Sequence, residues 1–342
     1  MKTALVTGSA GFIGFHLSRL LLARGWTVIG IDSLSDYYDV ALKRRRHDML
    51  SDSPSFRPVV RDISTPGFVQ SLLAETPADA IIHLAAQAGV RHSIDAPRDY
   101  VSANLVGGFE ILEAARSHPP DHLLMASTSS VYGAETDMPY RETRKVDTQM
   151  SFYAATKKAN EAMAHSYAHL YGVPTTMFRF FTVYGPWGRP DMALFKFVRA
   201  ILNGEAIDVY NHGRMRRDFT YVDDLVTAIA GLIDVPPGTA PVGDADSLSP
   251  VAPFRVVNIG NGDPVELGRF IEAIESALGQ TARRNLMDIQ AGDVPATWAD
   301  TTLLTALLGH PLPRTSIEEG VAAFVDWYRW DYETIRAADP AS

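Results

Sequence analysis

A doubly wound parallel α/β sheet followed by a smaller mixed α/β domain is the fold class this sequence predicts, on three observations. Short apolar runs without alternation, as strands buried on both faces read, recur between helical patterns. The first run passes through a glycine-rich turn into a helix, and the second ends in an acidic residue. The rhythm lasts as far as Pro186, after which shorter elements take over. Two domains are therefore expected, residues 1–186 and mainly residues 187–342, with later segments crossing back to the first.

Thr3 to Thr7 is the first strand, and Gly8-Ser9-Ala10-Gly11-Phe12-Ile13-Gly14 leads from it into a helical pattern from Phe15 to Ala23. Trp26 to Ile31 is the second strand, ended by Asp32. The glycines permit a tight turn and let backbone approach a pyrophosphate at the helix N-terminus, so Gly8, Gly11, Phe12, Ile13 and Gly14 are candidate cofactor residues. Asp32 would accept ribose hydroxyls and repel a 2′-phosphate, which favours NAD over NADP. A lone glycine pattern is weak evidence; strand, glycines, helix, strand and acid in this order make a Rossmann-like unit.

Lys43, Arg44, Arg45 and Arg46 follow, and read as a solvated helix face rather than a phosphate site. Val59 to Ile63 reads as the third strand, with Asp62 near its end. The fourth, Ala80 to Leu84, leads into Ala85-Ala86-Gln87, whose two alanines let backbone pass close to a cofactor. A helix around Asn104 to Ala115 precedes the fifth strand, His122 to Ser127, and Thr175 to Phe181 is the sixth. Val235 to Pro253, rich in Pro, Gly, Asp and Ser, reads as an exposed loop.

Two stretches carry chemistry. Ser127-Thr128-Ser129-Ser130 falls at the carboxyl end of the fifth strand, where ligands sit in an open parallel sheet. Ser127 reads as a turn-capping residue, whereas Thr128 can relay a proton between a substrate hydroxyl and a phenol. That phenol belongs to Tyr153, which stands one helical turn before Lys157 on the same face. Tyrosine titrates near ~10, so acting as a base near neutrality requires ~4 kcal/mol of differential stabilisation. Lys157 and a cationic nicotinamide are expected to share it. A tyrosine and lysine at this spacing also arise by chance; the nucleotide fold before them gives the pair its weight.

Composition excludes other classes. A net charge of −9 argues against non-specific binding to nucleic acid or anionic membrane, so local arginines must hold any anionic ligand. There is no cysteine, which removes disulfides and thiol chemistry. Met1 leads straight into a strand without a leader, and no apolar run approaches the ~18 residues that span a bilayer. A soluble cytoplasmic protein that needs no metal is expected.

The Gly-x-x-Gly-x-x-Gly spacing, with Tyr153 and Lys157, resembles the extended short-chain dehydrogenase/reductase superfamily. Within it the chain is similar to nucleotide-sugar epimerases, and most of all to those acting on UDP-glucuronate. The stretch from Arg179 to Ala193 is the most specific, beside Tyr37-Tyr38-Asp39, Asp208 to Asp224 and Gly292 to Asp300. Related 4,6-dehydratases carry acids where Ser129 and Ser130 stand, and UDP-glucuronate decarboxylases a glutamate at Ser130. UDP-galactose epimerases have asparagine at Thr182 and arginine at Gln290.

The resemblance implies an NAD-dependent 4-epimerase passing through a 4-keto sugar without decarboxylation, with Thr128, Tyr153 and Lys157 catalytic. It implies Asp62 at the adenine amino group, and Ile63, Leu84, Ala85, Ala86, Asn104, Phe180 and Val183 around the cofactor. For a UDP-sugar acid it implies Gln87, Thr128, Ser129, Ser130, Tyr153, Thr182 and Arg189 near the sugar, and Arg217 on the diphosphate. Asp293 and the Val209 backbone would hold the uridine. It further implies a homodimer formed by the helices Asn104 to Ala115 and Ala155 to Tyr171. UDP-glucose/UDP-galactose epimerisation, decarboxylation, a net oxidoreductase and a catalytically silent dinucleotide sensor are the alternatives.

Overall fold

Apolar runs that must be covered on both faces place β1 (Thr3–Thr7), β2 (Thr27–Asp32) and β4 (Ala80–His83) side by side, with β3 (Phe56–Val60) at the edge. The computed structural model describes residues 2–289 and 294–334; Gln290 and Asp293 lie outside them. Helices α1 (Phe12–Ala23), α2 (Val40–Ser51) and α3 (Phe68–Glu75) make the crossovers. Two short turns, α4 (His92–Asp95) and α5 (Pro97–Tyr100), then lead through a π-helical turn at Val101–Val106 into α6 (Gly107–Ser117). β5 (His122–Thr128), α7 (Phe152–Tyr171) and β6 (Thr175–Phe180) follow. The seven-stranded sheet is completed by a later strand, β10 (Phe254–Ile259), giving the order β3-β2-β1-β4-β5-β6-β10, all parallel.

That last strand is missing from the sequence reading because a long stretch of other structure separates it from β6. Before it come β7 (Thr182–Tyr184), α8 (Ala193–Leu202), β8 (Ala206–Tyr210), β9 (Arg216–Tyr221) and α9 (Val222–Leu232). After it come β11 (Pro264–Glu266), α10 (Leu267–Leu278), β12 (Arg283–Met287), β13 (Ala296–Thr297), α11 (Thr302–Leu308) and α12 (Ile317–Trp327). β7, β9, β11 and β13 form a small mixed sheet, and β8 pairs β12 in parallel. The third strand also starts earlier than expected. Pro58 reads as a strand breaker, yet an edge strand tolerates it, and β3 ends before Asp62.

Alternation along β1 shows how both faces are closed: Ala4 and Val6 pack into one apolar layer and Leu5 into the other. Ser151 caps α7 by accepting the Ala154 amide at 3.1 Å, and Gly172 ends it in a left-handed conformation. The helix thus begins one residue before Tyr153 and presents Tyr153 and Lys157 towards the end of β5.

Candidate active site

The order in which strands are added switches sides between β1 and β4, and the crevice beyond the carboxyl ends of the strands at such a point is where ligands bind. A cleft of about 880 Å³ opens there. Gly8 has φ +73°, and a Cβ on it would lie 2.9 Å from the Ala85 amide nitrogen, so only glycine lets the turn pass beneath the loop after β4. A Cβ on Gly14 would strike the Gly8 carbonyl. Gly11 caps α1 without a side-chain hydrogen bond, leaving the first-turn N–H groups of the helix for an anion. Asp32 ends β2; its carboxylate accepts the amides of Ala10 at 3.0 Å and Leu34 at 2.8 Å and stays on the cleft wall. A backbone cradle and an acid at the next strand end fit an adenine dinucleotide. Phe12, Ile13, Asp62, Ile63, Leu84, Ala85, Ala86, Phe180 and Val183 line the same cleft.

Asn104 does not. The π-helical turn swings it fully inward, where Oδ1 accepts the Gln87 amide at 2.8 Å and Nδ2 donates to the Gln87 carbonyl and Thr156 Oγ1. Its amide is spent on fixing the loop that carries Gln87, a cleft residue.

The basic run on α2 is not a solvated face either. Arg44 and Arg45 are exposed, but Lys43 is 5% and Arg46 0% exposed. Lys43 lines the cleft, donates to the Ser35 carbonyl at 2.6 Å, and has its pKa pulled down by burial. Lys43 and Arg46 fall on the stripe that buries Leu42, His47 and Leu50, and that helical spacing is the signal that could have found them.

On the opposite wall Lys157 is buried, and its Nζ donates to the Ala126 carbonyl at 2.9 Å. Desolvation lowers its pKa to about 8. Burial raises the Tyr153 phenol above its ordinary value, opposed by a hydrogen bond from Thr128 and by the Arg189 charge. Among the described groups, Thr128 and Arg189 are the ones that lower it. Behind them, Glu161 holds Arg179 through two bonds of 2.9 Å and accepts Ser127 Oγ at 2.7 Å. Ser127 thus does more than cap a turn: it ties the end of β5 to α7.

The remaining wall carries hydroxyls. Thr128 Oγ1 donates to Ser130 Oγ at 3.3 Å and accepts the Ser130 amide, while Ser129, Ser130 and Thr182 stay half-buried. Arg189 lines the main cleft, paired with Asp191 through Nε at 3.0 Å and Nη2 at 2.5 Å. Thr182 lines an adjoining apolar pocket shared with Arg189 and Met192. Val209 lines a separate hollow of about 350 Å³ with Arg214 and Arg216. Arg217 lies half-buried on β9, its charge felt by Tyr140. Sequence alone does not show Tyr37 on the cleft wall or the buried Tyr100 ring behind Tyr153. Tyr37 donates to Asp191 at 3.3 Å, and the Tyr100 ring meets the Tyr153 ring edge-on at 6.0 Å. Among the described residues there is no cluster of three or more metal-ligating side chains, and no helix is long and apolar enough to cross a membrane.

The profile of the NAD dependent epimerase/dehydratase family matches residues 4–241. A probable UDP-glucuronate 4-epimerase of Rhizobium meliloti (strain 1021) is 54% identical over 332 residues, covering 96% of this chain and 97% of that protein. UDP-glucuronate 4-epimerase 2 of Arabidopsis thaliana is 43% identical, covering 97% of this chain and 76% of its own length. Among solved structures, UDP-glucuronic acid 4-epimerase from Bacillus cereus in complex with UDP-glucuronic acid and NAD superposes with a TM-score of 0.85 at 30% identity, covering 96% of this chain and 99% of that one.

Proposed function

The chain belongs to the NAD dependent epimerase/dehydratase family, and on that premise we propose that it is an isomerase interconverting UDP-glucuronate and UDP-galacturonate by inversion at C4. The observation that carries the reading is the meeting of Tyr153, Lys157 and Thr128 with a dinucleotide cradle in one cleft, beside serines rather than acids at positions 129 and 130. NAD bound there accepts hydride from C4 and returns it to the opposite face. Tyr153 takes the C4 hydroxyl proton and later restores it, with Thr128 bridging the two oxygens. The Lys157 charge favours the phenolate once the cleft is filled and water is displaced. Arg217 anchors the diphosphate by charge-assisted bonds while the keto sugar turns about its anomeric linkage. Val209 and Asp293, the latter outside the described residues, hold the uridine.

Tyr153→Phe is expected to abolish most turnover while NAD stays bound. The check is chromatography of UDP-sugars after incubation of UDP-glucuronate with each protein, together with the nucleotide released on denaturation. Turnover at the wild-type rate in the variant would sink the assignment. Products reading as UDP-pentose or as a neutral hexose pair would instead select decarboxylation or UDP-glucose/UDP-galactose epimerisation.

We also read residues 1–186, with β10, as the cofactor domain and residues 187–342 as mainly the substrate domain. We place the protein in the cytoplasm and read it as a homodimer pairing α6 and α7, the pairing supported by the exposed apolar side chains Phe109, Leu170 and Tyr171 on those helices. Sedimentation of the purified protein tests the assembly.

A further inference from the structure

Arg46 is the largest side chain buried without exposure, and among the described residues no carboxylate lies within ion-pairing distance of it. Its terminal nitrogens are spent on two backbone segments. Nη1 donates to the Ala10 carbonyl, inside the glycine turn, at 2.9 Å and to Tyr38 Oη at 2.9 Å. Nη2 donates to the Trp187 carbonyl at 2.6 Å and the Gly188 carbonyl at 3.4 Å. Nε has no partner. An interior cation held only by carbonyls and a phenol is expensive unless an anion lies close. The turn it braces is the one whose N–H groups face an anionic diphosphate.

The second segment is strained. Trp187 has φ +59°, a left-handed conformation that a side chain disfavours and that surroundings must impose. Its ring sits 5.4 Å from Phe15 of α1 and 5.3 Å from Trp327, and the preceding Pro186 carbonyl lies 2.9 Å from His16 Nε2. Two residues on comes Arg189, which faces Tyr153 across the cleft. The cofactor-side helices α1 and α2 therefore grip the root of the loop that carries the sugar-facing arginine.

We propose that Arg46 is a positioning residue that couples the two ligand sites: a diphosphate on the glycine turn supplies its missing counter-charge and so stabilises the left-handed Trp187 that aims Arg189. Coupling is reciprocal, so a UDP-sugar acid engaging Arg189 must in turn tighten the hold on NAD. The planar fork matters as much as the charge, because only a guanidinium reaches both segments at once.

The inference rests on the epimerase reading and is tested on the holoenzyme. NAD release is followed by exchange with excess labelled NAD, with and without saturating UDP-glucuronate, whose binding is measured separately by calorimetry. In the wild type UDP-glucuronate should slow release roughly tenfold. In Arg46→Met release should be faster, and the slowing should shrink towards onefold. Faster release with the slowing intact would mean that Arg46 is only structural, and would overturn the proposal. Should Arg46→Met fail to fold, Arg46→Lys decides, since it keeps the charge but not the fork; a wild-type ratio there overturns the proposal equally. UDP-glucuronate that binds the wild type without slowing release also defeats it, whereas UDP-glucuronate that does not bind at all defeats the substrate reading. In that event the same ratio is read with UDP-galacturonate, which carries the same carboxylate, and a ratio of one in the wild type overturns the proposal.

Discussion

The Lys157 ammonium donates to the Ala126 carbonyl at 2.9 Å, and among the described residues no carboxylate pairs with it. Burial alone sets its pKa at about 8, so it is charged below that pH and neutral above. Because the charged form favours the Tyr153 phenolate, turnover should fall on the alkaline side with an apparent pKa near 8. Lys157→Met should lower turnover by roughly 10²–10⁴-fold and lose that alkaline limb. A pH–rate profile of both proteins checks it, and an unchanged limb in the variant would assign it to another group.

The same burial has a stability consequence of fixed sign. The unfolded chain holds the Lys157 proton up to ~10.4, the folded one only to about 8. Between those values the unfolded state binds more protons, so this group makes stability rise with pH over that window. Below about pH 8 the full penalty is present. Urea titrations at pH 7 and pH 9.5 should show this rise in the wild type and its loss in Lys157→Met. Parallel pH dependence in the two proteins would be the contrary result.

Glu161 and Arg179, each 3% exposed, form an ion pair between α7 and β6 whose loss leaves a bare interior charge. Glu161→Gln should cost ~3–5 kcal/mol, because the guanidinium then has no counter-ion. The joint change Glu161→Leu with Arg179→Met should recover most of that loss, since apolar replacements remove both desolvation penalties. Denaturant midpoints of the three proteins settle the matter; a single variant as stable as the wild type would show that water or the nearby Glu142 compensates.

Much of the framework was legible because it depends on local patterns. Thr3–Thr7 needed only an apolar run, the Tyr153–Lys157 pair only its helical spacing, and the glycine turn only the order of its residues. What stayed hidden depends on distant partners. Arg46 looks like any surface arginine until Ala10 and Trp187 are brought to it, and Tyr37 gains meaning only when Asp191 arrives from far along the chain. The resemblance places Asn104 near the cofactor, but no local pattern shows the π-helical turn that directs its amide to Gln87. At Tyr153, spacing reveals a lysine one turn away but not the burial that raises the phenol's pKa.

Cofactor choice follows from Asp32. Both of its oxygens accept backbone amides, which fixes the carboxylate at the end of β2 where a ribose 2′-phosphate would be repelled. NAD should be preferred over NADP by at least roughly tenfold, even with Lys43 on the same cleft. Mass spectrometry of the nucleotide that co-purifies gives the answer, and recovery of NADP would contradict it.

The carboxylate of the proposed substrate makes the reaction hazardous. Once C4 is a ketone, the C6 carboxylate belongs to a β-keto acid and can leave as carbon dioxide. That loss requires the C5–C6 bond roughly parallel to the carbonyl π orbitals, so that the developing carbanion delocalises. The enzyme must hold the group away from that orientation, in both sugar poses, until hydride returns. Thr128, Ser129, Ser130 and Thr182 offer hydroxyls, and Arg189, already steadied by Asp191, adds charge. A hydrogen bond to a charged group contributes ~1.5–3 kcal/mol, so two or three restrain one rotor. A glutamate at Ser130 would instead repel the carboxylate. Ser130→Ala and Thr182→Ala should therefore raise the yield of UDP-pentose and carbon dioxide per epimerisation, measured by chromatography with trapped labelled carbon dioxide. Clean epimerisation by both variants, at unchanged affinity for UDP-glucuronate, would show that these hydroxyls do not restrain the carboxylate.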